Sequence, residues 1–104
     1  MYELDIRFQP HQFEASYLHA MMRRVAEASP YAAIARGGAE KSADGRARVY
    51  VEVRSPYGHF SGEAVADDLR EASDAAEAKV QRGLEEWRRN RFRDQNLDTY
   101  RSVA

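Results

Sequence analysis

The residues of this chain that could do chemistry are basic side chains near its C-terminal end. Residues 79–93 hold six basic and two acidic residues, whereas residues 63–78 hold six acidic residues and one Arg. Spacing places four of the basic residues on one side of a helix, with only Glu86 interrupting them. These four are Lys79, Arg82, Arg89 and Arg93. Such a row can neutralise several phosphates, and phosphate contacts dominate sequence-independent affinity for nucleic acids.

Two further arginines, Arg23 and Arg24, lie in a second helical stretch earlier in the chain. If the two helices are neighbours, these arginines extend the basic row into a surface that lines a groove. The charge pattern also has a simpler explanation. Acidic residues near the N-terminus of a helix and basic residues near its C-terminus each stabilise it by ~0.3–1 kcal/mol through the helix dipole. An Arg pair on a helix is also common on a solvated face.

A third basic set alternates along a predicted strand and includes one aromatic residue. Its members are Arg46, Arg48, Tyr50 and Arg54. Sheets with exposed basic and aromatic side chains stack single-stranded bases in some RNA-binding proteins. Arg and Tyr are also frequent on exposed strand faces because of their strand propensity, and the paired aromatic motif of the RRM type is absent from the sequence.

Composition and motifs argue against catalysis and against metal or membrane binding. The chain has no Cys, and His11, His19 and His59 have no partner at a metal-ligand spacing. We find no nucleophile elbow and no Gly-rich phosphate loop, so we predict no catalytic residue, no metal and no cofactor. The net charge of −1 makes any RNA site a local patch. No apolar run approaches the ~20 residues of a membrane span, and we expect a cytoplasmic protein.

The first half of the chain predicts a strand followed by a helix. Apolar and polar residues alternate over residues 2–8 until Pro10, and helical periodicity runs over residues 14–28 until Ser29-Pro30. Residues 31–42 carry a weaker pattern around Gly37-Gly38, which we interpret as a strand with a bulge or an irregular edge.

The second half predicts a hairpin followed by a long helix. Alternating residues 47–53 and a return strand over 59–65 flank the turn Ser55-Pro56-Tyr57-Gly58. Asp67 is the predicted N-cap of a helix whose apolar stripe extends to Trp87. The stretch RDQNLDTYRSVA, residues 93–104, has no sustained periodicity and is predicted to be a flexible tail.

These elements predict one α+β domain, residues 1–92, of order β-α-β-β-β-α. Its length of 104 residues fits a single core. Each helix has one apolar stripe, so we expect both helices to pack on one face of a four-stranded sheet and to leave the other face open.

The element order and two segments resemble the short ribosome-hibernation factors, which include hibernation-promoting factor and the ribosome-associated inhibitor protein Y. The segments are VEVRSPYGHFSGEAVADDL and LREASDAAEAKVQRGLEEW, in which Ala72 and the pair Lys79 and Arg82 are in register with the family's final helix. Departures are Glu85 and Glu86, where the family's helix end is more basic, and Gly83. Nothing after Phe92 resembles the dimerisation domain of the family's long form.

The resemblance implies a non-enzymatic protein that binds the 30S subunit of the ribosome, alone or within the 70S particle. It would occupy the mRNA and tRNA channel, contact 16S rRNA backbone, and inhibit translation or stabilise idle ribosomes in stress or stationary phase. The matching contact residues are Arg24, Lys79 and Arg82, with Arg89 carried over less directly. The resemblance implies neither DNA binding nor a particular oligomeric state.

Two other classes of function compete with ribosome binding. One is a protein-interaction module that docks a non-ribosomal partner through the long helix or the exposed sheet, with charge serving solubility. The other is an enzyme or small-molecule binder that uses a cleft beside the helices. The last alternative requires a deep polar pocket, of which the sequence gives no sign.

Overall fold

The computed structural model describes residues 1–90 with their side chains and residues 91–103 as helix backbone only. The elements, in chain order, are β1 (Tyr2–Ile6), α1 (Gln12–Ala28), β2 (Ile34–Lys41), β3 (Ala47–Ser55), β4 (Gly58–Ala66) and α2 (Leu69–Val103). This is the predicted β-α-β-β-β-α order. The predicted domain boundary after residue 92 and the predicted tail, 93–104, lie outside the residues described in full and stay predictions.

The four strands form one mixed sheet in the order β1-β2-β3-β4. β1 pairs with β2 in parallel, because α1 carries the chain back to the same end of the sheet, and the other two pairs are antiparallel. α1 packs on β1 and β2, and α2 packs on β3 and β4. Both helices therefore cover the same face of the sheet, which confirms the predicted architecture.

The core lies between this sheet face and the two helices. Alternation along β3 turns one set of its residues inward, where they are at most 1% exposed, and the apolar stripes of the helices meet them. The largest buried side chains are Leu18, Met21, Met22 and Val25 of α1, Val49, Val51 and Val53 of β3, and Val80 and Leu84 of α2.

The strand predicted within residues 31–42 is confirmed, but the expected bulge or irregular edge is wrong. β2 is a regular strand in the interior of the sheet, paired along its length with β3 and along part of it with β1. Its two glycines serve packing on opposite faces. A Cβ on Gly37 would lie 2.5 Å from the sulfur of Met22, and a Cβ on Gly38 would lie 2.3 Å from the ring of Tyr50.

The N-cap of α2 is Asp68 and not the predicted Asp67. The Asp68 side chain accepts a hydrogen bond from the backbone N–H of Arg70 at 3.2 Å, and its carbonyl accepts one from Ala72 at 3.1 Å. Asp67 instead lies beside Arg46, with 3.4 Å between the charged atoms. Sequence spacing alone does not distinguish Asp67 from Asp68 as the N-cap. The position of the first helical turn against β3 and β4 makes Asp68 the N-cap.

Candidate nucleic-acid interface

The predicted basic row runs from the flank of α2 beside β4, where Lys79 lies, to the side of the helix that faces away from the core, where Arg82 and Arg89 lie. Val80 and Leu84 point into the core, so residues about half a turn from them point to solvent. Lys79, Arg82 and Arg89 are all exposed, and Glu86 is exposed among them. The side chain of Arg93 lies outside the described residues. The structure thus brings the three described cations onto one surface, which we call the outer face of α2.

The three cations of the outer face differ in their partners. Lys79 donates a hydrogen bond from Nζ to the backbone carbonyl of Glu63, at 2.7 Å. That carbonyl belongs to β4, the edge strand, so Lys79 also occupies an edge acceptor that another strand could use. Arg89 lies 4.0 Å from Glu85 of the same helix, the weakest kind of surface ion pair. Arg82 forms no ion pair with any residue among 1–90.

Arg24 lies on the seam between the two helices. Its Nε and Nη2 donate to the two carboxylate oxygens of Glu77 at 2.9 and 2.8 Å. The Glu77 side chain is only 15% exposed, and its hydrogen bonds are the main reason that the pKa of Arg24 is raised. This bidentate pair joins α1 to α2, so Arg24 has a structural role whether or not it contacts RNA.

Further polar contacts line the same seam. The Tyr17 hydroxyl donates to Asp74 at 2.5 Å, which raises the pKa of Tyr17, and the Arg70 guanidinium lies 5.1 Å from the centre of the Tyr17 ring. At the far end, Arg88 Nη2 donates to the Ala28 carbonyl at 2.7 Å. The α2 residues of the seam therefore lie on a different side of the helix from the outer face.

The structure does not bring the arginines of α1 together with the outer face of α2. Arg23 is exposed and lies one turn from His19, whose ring accepts or donates a hydrogen bond at Tyr2 of β1. Arg23 therefore lies toward the β1 side of α1, and Arg24 toward α2. Among the described residues, the basic side chains of the two helices therefore do not line one groove. Arg23, Arg24 and the outer face of α2 are three separate basic positions.

The open sheet face carries paired charges. Arg48 donates to Glu63 at 2.6 Å and to Glu40 at 2.7 Å, and these hydrogen bonds raise its pKa. Arg54 lies 2.8 Å from Glu52. The carboxylate partners of Arg48 and Arg54 lie on their own or an adjacent strand, and the partner of Arg46 is Asp67, just after β4. The positive charges of this sheet face are consequently paired with carboxylates, and the face is not a basic surface.

A cleft that the sequence does not predict lies at the end of the helix seam. It is lined by Tyr31, Tyr57 and Trp87 together with Arg24 and Arg88. Tyr57 had been assigned only to the hairpin turn, and Trp87 only to the apolar stripe of α2. No local pattern links residues this far apart, although an exposed Tyr on each of two turns is a signal that could have been noted.

Neither a metal site nor a membrane span is found in the part of the chain that the structure describes. No three His, Asp or Glu side chains there are grouped to hold an ion. No helix there combines the length and the apolar character that crossing a bilayer requires.

The fold and this surface define a class: a small domain with a four-stranded mixed sheet, two helices on one face, and exposed cations along the outer face of the last helix. No family model and no curated protein matches the sequence. Among solved structures, the chain is similar to the Thermus thermophilus Protein Y N-terminal domain, with 22% identity and a TM-score of 0.62 over 86% of this chain and 96% of that one.

A second similar structure is a ribosomal subunit interface protein from Coxiella burnetii. Identity is 13% and the TM-score is 0.67, over 85% of this chain and 98% of that one. At such identities the likeness establishes a shared fold. The resemblance inferred from the sequence is thereby confirmed in its architecture, over most of the chain.

Proposed function

We propose that this protein binds the small ribosomal subunit through rRNA backbone in the mRNA and tRNA channel. It would act in the cytoplasm by occupancy, inhibiting translation or stabilising idle ribosomes in stress or stationary phase. The observation that carries the proposal is the outer face of α2, with Arg82 and Arg89 exposed, on a fold shared with a ribosomal subunit interface protein. A rigid domain with phosphate-binding side chains needs no chemistry to exclude other ligands from a channel.

We rank the cations that would contact phosphate by the partners that each would have to leave. Arg82 ranks first because it is exposed and has no ion pair within residues 1–90. Lys79 follows, since its partner is a neutral carbonyl that water can replace. Arg24 ranks last because withdrawing it would leave Glu77, a nearly buried carboxylate, without its counter-ion.

The test is cosedimentation of the purified protein with small subunits through sucrose gradients at low and high salt. We expect wild-type binding to weaken as salt rises, with each phosphate contact adding about 0.7–0.9 to the slope of log affinity against log salt. The double variant Arg82→Glu and Arg89→Glu should lose most of the binding and flatten the slope. Both positions are exposed, so this variant should fold.

A matched control is the double variant Arg36→Glu and Arg54→Glu on the open sheet face. It changes net charge by the same amount at side chains that are 57% and 69% exposed. Binding retained by the sheet variant and lost by the helix variant supports the proposal. Equal losses would mean that net charge alone governs association. Retained binding by the helix variant would refute the role of the outer face.

The protein-interaction alternative predicts a different result in the same samples. Nuclease treatment should abolish association if rRNA carries it. A capture dominated by one non-ribosomal protein and resistant to nuclease would decide for the interaction module.

A further inference from the structure

A cleft of about 830 Å³ opens where the end of α1, the β3–β4 turn and α2 meet. Its volume falls within the ~300–1,000 Å³ that small-ligand sites usually occupy. The cleft lies on the helix seam, on a different side of α2 from the cations of the outer face. It is thus a second surface, and of the cations proposed to contact phosphate only Arg24, which ranks last, lines it.

Three of the nine residues that line the cleft are aromatic. The Tyr57 ring lies 5.7 Å from the Trp87 ring, and Phe60 supports Trp87 from β4 at 6.4 Å, between ring centroids. Tyr57 is 55% exposed and Tyr31, also in the cleft lining, is 89% exposed. Two exposed aromatic rings beside a half-buried indole offer flat apolar surface, which is the surface that unpaired bases stack on.

The turn that carries Tyr31 is held in a costly conformation. Ala33 donates a backbone hydrogen bond to the Pro30 carbonyl at 3.1 Å, and Ala32 between them has φ of +65°. Ala32 is the third residue of this four-residue turn. A residue with positive φ at this position is usually Gly, because a Cβ disfavours the left-handed region. Strain of this kind is retained at ligand sites more often than elsewhere. Here it keeps an aromatic ring projecting into solvent.

Two anchored guanidiniums lie at the cleft. Arg24 is fixed by Glu77, and Arg88 by the Ala28 carbonyl, and a guanidinium has more donors than these bonds use. Glu27 also lines the cleft. With Glu27 and Glu77 against Arg24 and Arg88, the formal charges balance. Attraction for phosphate alone is therefore small, and the aromatic surface must supply most of the affinity.

We infer that this cleft binds an unpaired nucleobase of single-stranded RNA. The base would stack on the exposed rings, and the fixed Arg88 would donate to a base edge or to the adjoining phosphate. The inference deepens the proposed function and rests on it for the source of the RNA, since ribosomal RNA or mRNA offers such bases in loops and single strands.

Trp87 is the only tryptophan in the chain, so its fluorescence reports on the cleft directly. We would titrate the full chain with hexamers of uridylate and of adenylate, and with an RNA duplex of equal length, while following Trp87 emission. The quenching curve would give the affinity for the cleft. We expect quenching by both hexamers and little by the duplex. The affinity should vary only weakly with salt, because few phosphates are contacted.

Tyr31→Ala is the decisive variant, and Phe13→Ala is its control. Both side chains are almost fully exposed, at 89% and 87%, so neither change should disturb folding, and Phe13 lies near the start of α1, away from the cleft. Tyr31→Ala should weaken hexamer binding about tenfold, the loss expected when a base loses an aromatic partner. Phe13→Ala should bind as wild type does. Absence of quenching, or equal binding by the two variants, would overturn the inference.

The outcome separates this inference from the proposed function. Wild-type protein that cosediments with small subunits but does not bind hexamers would refute the cleft site and leave ribosome binding standing. Hexamer binding without cosedimentation would support the cleft and refute the ribosomal role. A protein partner captured by wild type and lost with Tyr31→Ala, in the absence of hexamer binding, would assign the cleft to protein and refute the RNA ligand.

Discussion

Gly62 sets the distance between α2 and β4, and replacing it with Ala should destabilise the fold strongly. A Cβ there would lie 2.5 Å from the carbonyl oxygen of Ala76 and 2.8 Å from Cβ of Lys79. Neither atom can rotate away, because one is helix backbone and the other is attached to it. Ordinary contact begins near 3.4 Å, so α2 must retreat by about 0.9 Å, the difference between 3.4 and 2.5 Å.

Such a retreat loosens the packing of Val80 in the core. Overpacking usually costs ~1–3 kcal/mol, and we expect Gly62→Ala to lower the free energy of unfolding by about 3 kcal/mol, since backbone and not a side chain must yield. A domain of this size has ~5–15 kcal/mol of stability at ~0.05–0.15 kcal/mol per residue, so the variant should still fold. Urea unfolding followed by far-UV circular dichroism and by Trp87 emission measures the loss.

Gly83→Ala is the matched control, with the same chemical change about two turns past Ala76 on α2. Its Cβ would lie 3.3 Å from Cδ1 of Phe60, a side chain that can shift. Ala also favours helix by ~1 kcal/mol over Gly. We therefore expect a gain of up to about 1 kcal/mol. A Gly62→Ala variant within about 0.5 kcal/mol of wild type, or no less stable than Gly83→Ala, would refute the close approach of α2 to β4.

Two further predictions concern charged side chains. Arg24→Ala and Glu77→Ala should each cost about 1–2 kcal/mol in urea unfolding, and their double-mutant cycle should give a coupling of about 1 kcal/mol; a coupling below about 0.3 kcal/mol would deny the bidentate pair. Glu14 accepts a hydrogen bond from the backbone N–H of His11 at 3.0 Å, which lowers the pKa of Glu14, with Lys41 adding to the effect. A depressed folded pKa contributes stability above the ordinary Glu value that is lost as pH falls through the folded value. Glu14→Gln should therefore flatten the acid limb of stability, and parallel pH curves for variant and wild type would contradict this.

Periodicity predicted every element whose two sides differ in polarity. β3 alternates Val with charged or aromatic residues, and α2 repeats apolar residues every three or four positions, so their faces could be assigned from the sequence. β2 could not be assigned in this way. Its centre, Gly37-Gly38, is small on both faces because Met22 lies against one and Tyr50 against the other. Small residues selected by the bulk of distant partners leave no periodic signal.

The candidate site was predicted by residue type but not by arrangement. The outer face of α2 followed from spacing within one helix. The partners of Arg24 and Arg88 could not be predicted from spacing. Arg24 pairs with a residue 53 positions away, and Arg88 with one 60 positions away. Such pairing depends on how α1 crosses α2, which neither helix encodes alone. The cleft was missed for the same reason.

The two residues that the sequence resemblance places in register with the family's final helix both contribute to the outer face, but in different ways. Lys79 gives up only a neutral carbonyl if it turns to a phosphate, and gains a charge-assisted bond in exchange. Arg82 gives up no ion pair with any residue of 1–90 and needs only to lose its rotamer freedom. Arg24 would have to abandon a nearly buried carboxylate. The phosphate contacts that we propose should therefore centre on α2 with Arg82 as their strongest member, while Arg24 stabilises the helix pair that holds α2 in place.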